Sequence, residues 1–240
     1  MKNLIKKFKK IINFFLDLLF PIECVGCQKE DLWLCEECFK KINLNLKNFC
    51  PICKKPARMG CICQQCLFHS CLKNIFVASS YEEKILKQAI HTFKYQYIQA
   101  LAKPLGKIII NFLYQSKLNF LFDNSYFLIP IPLYRKRFFQ RGFNQSELLT
   151  QIIAQEFKIS VINNVLKRKR NTKSQTKLKE KERRKNIKNA FICIQPEIIK
   201  NKNIILFDDV LTTGSTLKEA ARALKKSGAK EIIGLILAKG

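Results

Sequence analysis

The chain has 240 residues, 48% of them hydrophobic, with 44 Lys and Arg against 18 Asp and Glu. That length admits one large domain, or a medium domain with a small module, and the hydrophobic share excludes a disordered chain. A net charge of +26 favours polyanionic partners, whether nucleic acid, anionic lipid or phosphorylated ligands.

Residues 1–22 form the first unit. Leu4, Ile5, Phe8, Ile11, Ile12, Phe15, Leu16 and Leu19 repeat at the spacing of an amphipathic helix, with Lys2, Lys6, Lys7, Lys9 and Lys10 on its first half and Pro21 as its stop. The continuous apolar run is too short to span a bilayer. There is no small-residue cleavage site of a signal peptide. Two readings remain: a helix packed on the rest of the protein, and an interfacial helix touching a membrane, which basic residues with Phe and Leu suit.

Residues 23–72 hold ten of the eleven cysteines. Eight form C-x2-C pairs: Cys24/Cys27, Cys35/Cys38, Cys50/Cys53 and Cys63/Cys66. Paired knuckles of this kind surround a tetrahedral metal with four thiolates. The simplest grouping is two Zn sites, Cys24, Cys27, Cys35 and Cys38 in one and Cys50, Cys53, Cys63 and Cys66 in the other. Interleaved grouping, a disulfide framework and an iron–sulfur cluster are the alternatives, and His69 is a substitute ligand for the second site. Four thiolates leave no open position for a catalytic water, so the zinc is expected to be structural. Cys61 and Cys71 are left over, and Cys193 sits in an apolar run as a small hydrophobe.

Residues 75–240 read as an α/β domain with a mostly parallel sheet and helices on both faces. Residues 81–115 are helical with a break near Lys94-Tyr95, and 126–132 is a buried strand ending in prolines. A basic turn follows with Arg135, Lys136, Arg137 and Arg141, then a helix from Gly142-Phe143-Asn144 to about Phe157. Strands are expected at 160–166, 190–194, 203–208 and 231–238, and a helix at 216–227. From Lys167 to Lys188 there are twelve Lys or Arg and two acids, so this segment cannot be core. Lys167, Arg168, Lys169 and Arg170 are candidate nucleic-acid contacts.

The most informative stretch is 204–217. Four apolar residues, Ile204 to Phe207, lead into Asp208 and Asp209. Val210 and Leu211 follow, then the hydroxyl-rich loop Thr212, Thr213, Gly214, Ser215 and Thr216 and a helix. In open α/β sheets ligands bind at the carboxyl ends of strands, and a helix N-terminus holds phosphate. Carboxylates beside an anion site suit sugar hydroxyls, or Mg²⁺ held against the sugar. The stretch therefore describes a ribose 5-phosphate site. It resembles the phosphoribosyl-pyrophosphate (PRPP) loop of type I phosphoribosyltransferases, which implies PRPP with Mg²⁺ as ligand and Asp208 through Thr216 as its site. In that family a mobile loop closes over the site and a cation faces the pyrophosphate; Arg135, Arg141 and Lys173 are the candidates here.

The cysteine knuckles, Ile-Pro-Ile-Pro-Leu (129–133), Arg-Gly-Phe-Asn-Gln (141–145), Gln175 with Arg184 and Asn186, and the PRPP loop together resemble the ComF proteins of bacteria over nearly the whole chain. Lys54 departs from that family's usual Gly. The resemblance implies a cytoplasmic role in natural transformation, with partners that include single-stranded DNA and the DNA-uptake machinery; an interfacial helix at 1–20 would add peripheral contact with the inner membrane. It leaves two functions in view. One is a non-catalytic PRPP- and DNA-binding protein. The other is an active phosphoribosyltransferase with an unknown acceptor in nucleotide metabolism. With no N-terminal Cys nucleophile, amidophosphoribosyltransferase activity is not expected.

Overall fold

The structure, a computed structural model, describes residues 22–44, 49–53, 55–57, 61–68, 70–122, 125–170 and 187–240. The expectations for 1–21, Lys54, His69, Lys173, Gln175, Arg184 and Asn186 fall outside those residues.

Four strands, β1 (Ile75–Ser80), β2 (Tyr126–Pro130), β5 (Asn203–Leu211) and β6 (Glu231–Lys239), form one parallel sheet in the order β1-β6-β5-β2. The central pair carries continuous apolar runs because both faces are covered. Alternation divides β5 between two cores: Ile205 and Phe207 join the cluster under the helices α3 (Lys84–Tyr95), α4 (Ala102–Gln115) and α6 (Gln145–Phe157), while Ile204 and Leu206 join the other, under α8 (Ser215–Lys226). Gly234 of β6 is needed for close approach: a Cβ there would lie 2.7 Å from a Leu217 methyl of α8.

Several elements differ from the sequence reading. β1 was not expected, because four apolar residues followed by two serines, without alternation, are a weak signal. The strand expected at 160–166 makes one parallel bridge, Val161 to Leu128. Asn164, in the left-handed region at φ +63°, then turns the chain away into β3 (Leu166–Arg168). β3 pairs antiparallel with β4 (Phe191–Cys193) in a separate two-stranded sheet, so neither segment extends the main one. The basic turn is a helix, α5 (Arg135–Arg141), closed by Gly142 at φ +78°. β5 runs through the acid pair to Leu211, and α8 begins at Ser215. The α3–α4 break lies just past Tyr95, with Tyr97 at φ +62° and a short 3-10 turn at Gln99–Leu101. A short helix α7 (Pro196–Ile199) precedes β5.

The cysteine-rich module holds α1 (Glu36–Lys40) and α2 (Gln64–Leu67). It is fastened to the exposed edge of β1: Leu44 bridges Ser79, whose Oγ donates to the Asn43 carbonyl at 2.7 Å, and Cys61 bridges Asn74. Cys24, Cys35 and Cys38 are buried in the same apolar cluster as Leu86, Ala89 and Ile90 of α3. Cys193 is half-buried against the opposite cluster. No described helix is long and apolar enough to cross a membrane.

Candidate functional site

At the carboxyl edge of the sheet, Asp208 and Asp209 line a cavity of about 190 Å³. Successive strand residues point in opposite directions, so the two acids meet different partners. Asp209, 7% exposed, accepts from Lys94 Nζ of α3 at 2.7 Å. Asp208 accepts from Ser146 Oγ of α6 at 3.4 Å and from the Asp209 backbone N–H at 3.0 Å. Burial, and then the neighbouring Asp209 charge, raise the Asp208 carboxyl to about 7, with Lys94 acting against them. One acid is therefore paired with a lysine, while Asp208 is poised to take a proton near neutrality.

The Arg-Gly-Phe-Asn-Gln stretch is the corner that positions this cavity. Gly142 ends α5, and Phe143 is buried against Phe93, ring centroids 5.3 Å apart. Asn144 caps α6: its side chain accepts from the Ser146 N–H and donates to the Ile131 carbonyl beyond β2. Gln145 and Ser146 are thereby set into the cavity wall. Gln145 is 1% exposed, and its Nε2 has no acceptor among the described residues. A ligand oxygen in the cavity would satisfy this buried donor.

Arg137 and Arg141, four residues apart on one face of α5, both line the cavity. Arg141 stands over the Tyr95 ring at 5.7 Å, and burial lowers its pKa while Asp209 supports its charge. Arg135 faces instead a separate cleft beside β3, so helical phase divides the basic residues that the sequence grouped together. Val210 near the end of β5, Thr212 just after it and Thr216 in the first turn of α8 line the cavity. Thr213 and Ser215 share a hydroxyl–hydroxyl contact at 2.8 Å, and Gly214 at φ +72° forms the N-cap of α8. Leu211 is buried in the core. Lys167, Lys169 and Arg170 are exposed, with Arg170 Nη1 donating to the Lys188 carbonyl. Arg168 is 7% exposed, and its guanidinium lies 5.5 Å from the Phe191 ring centroid. Burial, then Arg137, lower its pKa to about 10. The site residues that sequence reasoning missed are Lys94, Arg137, Gln145 and Ser146. Lys94 is 115 residues from Asp209, and nothing local signals such a pairing.

The sulfurs of Cys24, Cys27, Cys35 and Cys38 lie within 4.8 Å of one another, and so do those of Cys50, Cys53, Cys63 and Cys66. This is the simplest of the groupings the spacing allowed. The donor set fits a tetrahedral thiolate metal. Backbone N–H groups already point at the sulfurs, Cys35 N to Cys24 Sγ at 3.3 Å and Cys38 N to Cys35 Sγ at 3.5 Å. Burial opposes ionisation of Cys24 and Cys50, but surrounding N–H donors outweigh it and bring each to about 6. Burial and crowding by the other sulfurs push Cys38 and Cys66 up to about 12. In each cluster one of the four sulfurs resists ionisation, Cys38 in the first and Cys66 in the second, a cost that a divalent cation would relieve. After Cys27, Gln28 adopts φ +63°, a left-handed conformation that glycine takes most readily.

Comparison with known proteins agrees with both halves. The family described as double zinc ribbon domain matches residues 15–67, and the phosphoribosyl transferase domain family matches 144–240. The ribbon match and the sulfur clusters together support structural zinc. Competence protein ComFC of Bacillus subtilis (strain 168) is 27% identical over 209 residues, covering 83% of this chain and 81% of the relative. DNA utilization protein YhgH of Escherichia coli (strain K12) is 28% identical over 200 residues, covering 83% and 87%. Competence protein F of Haemophilus influenzae is 30% identical over 214 residues, covering 82% of this chain and 93% of the relative. A match of that identity along nearly the whole relative, spanning ribbon and sheet alike, places the chain in the ComF family of competence and DNA-utilisation proteins.

Proposed function

We propose that the protein binds PRPP with Mg²⁺ in the carboxylate cavity and single-stranded DNA on its basic surface. It would act in the cytoplasm on DNA entering the cell, with the chain divided as 1–22, 23–72 and 75–240. The observation that carries this reading is one cavity that joins two acids, Lys94, Arg137, Arg141, Thr212, Thr216 and the unsatisfied buried amide of Gln145. The N-terminus of α8 suits the 5-phosphate, Asp208 and Asp209 the ribose hydroxyls, and Arg137 and Arg141 the pyrophosphate. Bound Mg²⁺ would neutralise part of the pyrophosphate charge. The relatives' names supply the setting in competence and DNA use, with the uptake machinery and a membrane surface near residues 1–20 as further partners. Arginines facing two carboxylates also favour a second reading, an active phosphoribosyltransferase that stabilises a departing pyrophosphate. Pyrophosphate release that depends on an added acceptor would identify it.

Titration calorimetry with PRPP, with and without Mg²⁺, tests the cavity. Asp208 must lose its proton to meet a cation or accept ribose hydroxyls, so PRPP affinity should fall roughly tenfold per pH unit below about 7. A flat profile from pH 5 to 8, in buffers of that range, would take Asp208 out of the site. The same raised carboxyl makes the ligand-free fold lose stability as pH rises from about 4 to about 7, because the native state holds the proton longer than the unfolded chain.

For DNA the readout is the salt slope. Each phosphate contact on a single strand contributes about −0.7 to the log–log dependence on salt. Lys167, Lys169 and Arg170 are exposed and Arg168 is buried, so the triple alanine variant of the exposed three should flatten the slope by about two units. An unchanged slope would move the contact to Arg135–Arg141 or the N-terminal lysines. Absence of binding at low salt would leave the small-molecule reading alone.

A further inference from the structure

A second and larger hollow adjoins the carboxylate cavity, and the reading above does not use it. It encloses about 450 Å³, and Pro132, Leu133 and Arg168 line both spaces. Its walls are apolar: Ile129 at the end of β2, Ile162 just past the single bridge, Leu166 of β3 and Ile194 after β4. Two aromatic rings of α5 stand at it. Phe138 and Phe139 meet edge to face, 79° apart with centroids at 6.4 Å, and are 42% and 80% exposed. Adjacent exposed phenylalanines on a chain of charge +26 are an unusual surface for a protein with no partner there. The polar groups are sorted. Asn163, Asn164 and Glu147 offer amides and a carboxylate, while Arg135 and Lys167 bring positive charge.

We infer that this cleft takes one unpaired base of a single-stranded nucleic acid, with the flanking phosphates on Arg135 and Lys167. The inference rests on the proposed binding of single-stranded DNA and adds where a base of that strand goes. Apolar walls and exposed phenyl faces suit the two faces of a heterocycle, which stack without regard to sequence. Amides and a carboxylate suit the edges, whose donors and acceptors are free only in an unpaired strand. Glu147 repels phosphate from the cleft, and the cations attract it to the surround, so the strand has one polarity of insertion: base in, backbone out. The shared Pro132, Leu133 and Arg168 place an inserted base next to the space proposed for PRPP.

Fluorescence anisotropy with two labelled strands of equal length and charge tests this: an oligothymidylate and an abasic deoxyribose-phosphate oligomer. The full-length protein should bind the thymidylate about tenfold more tightly. Phe139→Ala should remove most of that preference while leaving abasic affinity and the salt slope unchanged. Phe139 is largely exposed, so the variant keeps its fold. Ile194→Glu, half-exposed on the opposite wall, should act the same way by placing a second carboxylate in the cleft. Equal binding of both strands by the parent protein overturns the base cleft and leaves the DNA reading standing. Binding of neither strand overturns both. A preference retained in both variants overturns the cleft, and the same follows if an apolar peptide displaces the abasic strand as effectively as it displaces the thymidylate.

Discussion

Asp208→Ala combined with Asp209→Ala is expected to abolish Mg²⁺-dependent PRPP binding. A hydrogen bond to a charged group is worth about 1.5–3 kcal/mol, and each 1.4 kcal/mol is about tenfold in affinity. Loss of both carboxylates therefore weakens binding by roughly 100-fold or more. The two acids should differ in stability. Asp209 holds Lys94 in an ion pair whose side chains are 16% and 10% exposed, and removing one partner strands the other. Asp209→Ala should therefore lower the melting temperature measurably, as the loss of a largely buried partner does. Asp208 is a carboxyl whose ionisation burial opposes, so Asp208→Asn should be neutral or stabilising at pH 8 and should erase the stability loss between pH 4 and 7. Adding Lys94→Met to Asp209→Ala removes the stranded charge and should restore most of the stability, but not PRPP binding. A double alanine variant that binds PRPP like the parent would remove the acids from the site.

Zinc removal should have the other large effect. Elemental analysis is expected to find close to two equivalents of tightly bound zinc, and protein without metal and with its thiols in disulfides would refute this. Structural zinc in ribbon-like peptides contributes on the order of 10 kcal/mol, comparable with the whole stability of a domain. The two sites should not be equivalent. Cys24, Cys35 and Cys38 belong to the core cluster that contains α3, α4 and α6, and Gly26 leaves no room for a Cβ against Cys38 Sγ. Cys35→Ser should therefore unfold the module and also loosen α3, which carries Lys94, so that PRPP affinity falls with it. The shared core is why the module and α3 are expected to respond together. In the second site Cys53 is exposed, while Cys50 is buried in the other core cluster with Cys63 and Cys66 packed against it, so Cys66→Ser should release one zinc and loosen that face of the sheet while leaving α3 and Lys94 in place. Thermal unfolding of both variants, with zinc stoichiometry, separates these outcomes.

What the sequence by itself determined lies in short-range patterns. Cysteine pairs with two residues between them and fixed gaps predicted two four-sulfur sites, because a knuckle is a local turn. Ile204 to Phe207 followed by two acids and a hydroxyl loop predicted a strand–loop–helix corner, because strand burial and helix capping act over a few residues. The Arg-Gly-Phe-Asn-Gln stretch was legible as a signature, but its physical work was not. Gly142 as a left-handed stop, Phe143 against Phe93 and Asn144 on the Ile131 carbonyl depend on elements brought together by folding. The tertiary structure alone decided that β1 is an edge strand under the cysteine module and that 160–166 leaves the sheet after one bridge. It also separated Arg137 and Arg141 from Arg135 by helical phase, sent Asp209 to a lysine 115 residues away, and set two phenylalanines of α5 beside a hollow under β3. These are consequences of which surfaces meet, and a linear chain records its own periodicities but not the partners its side chains will find.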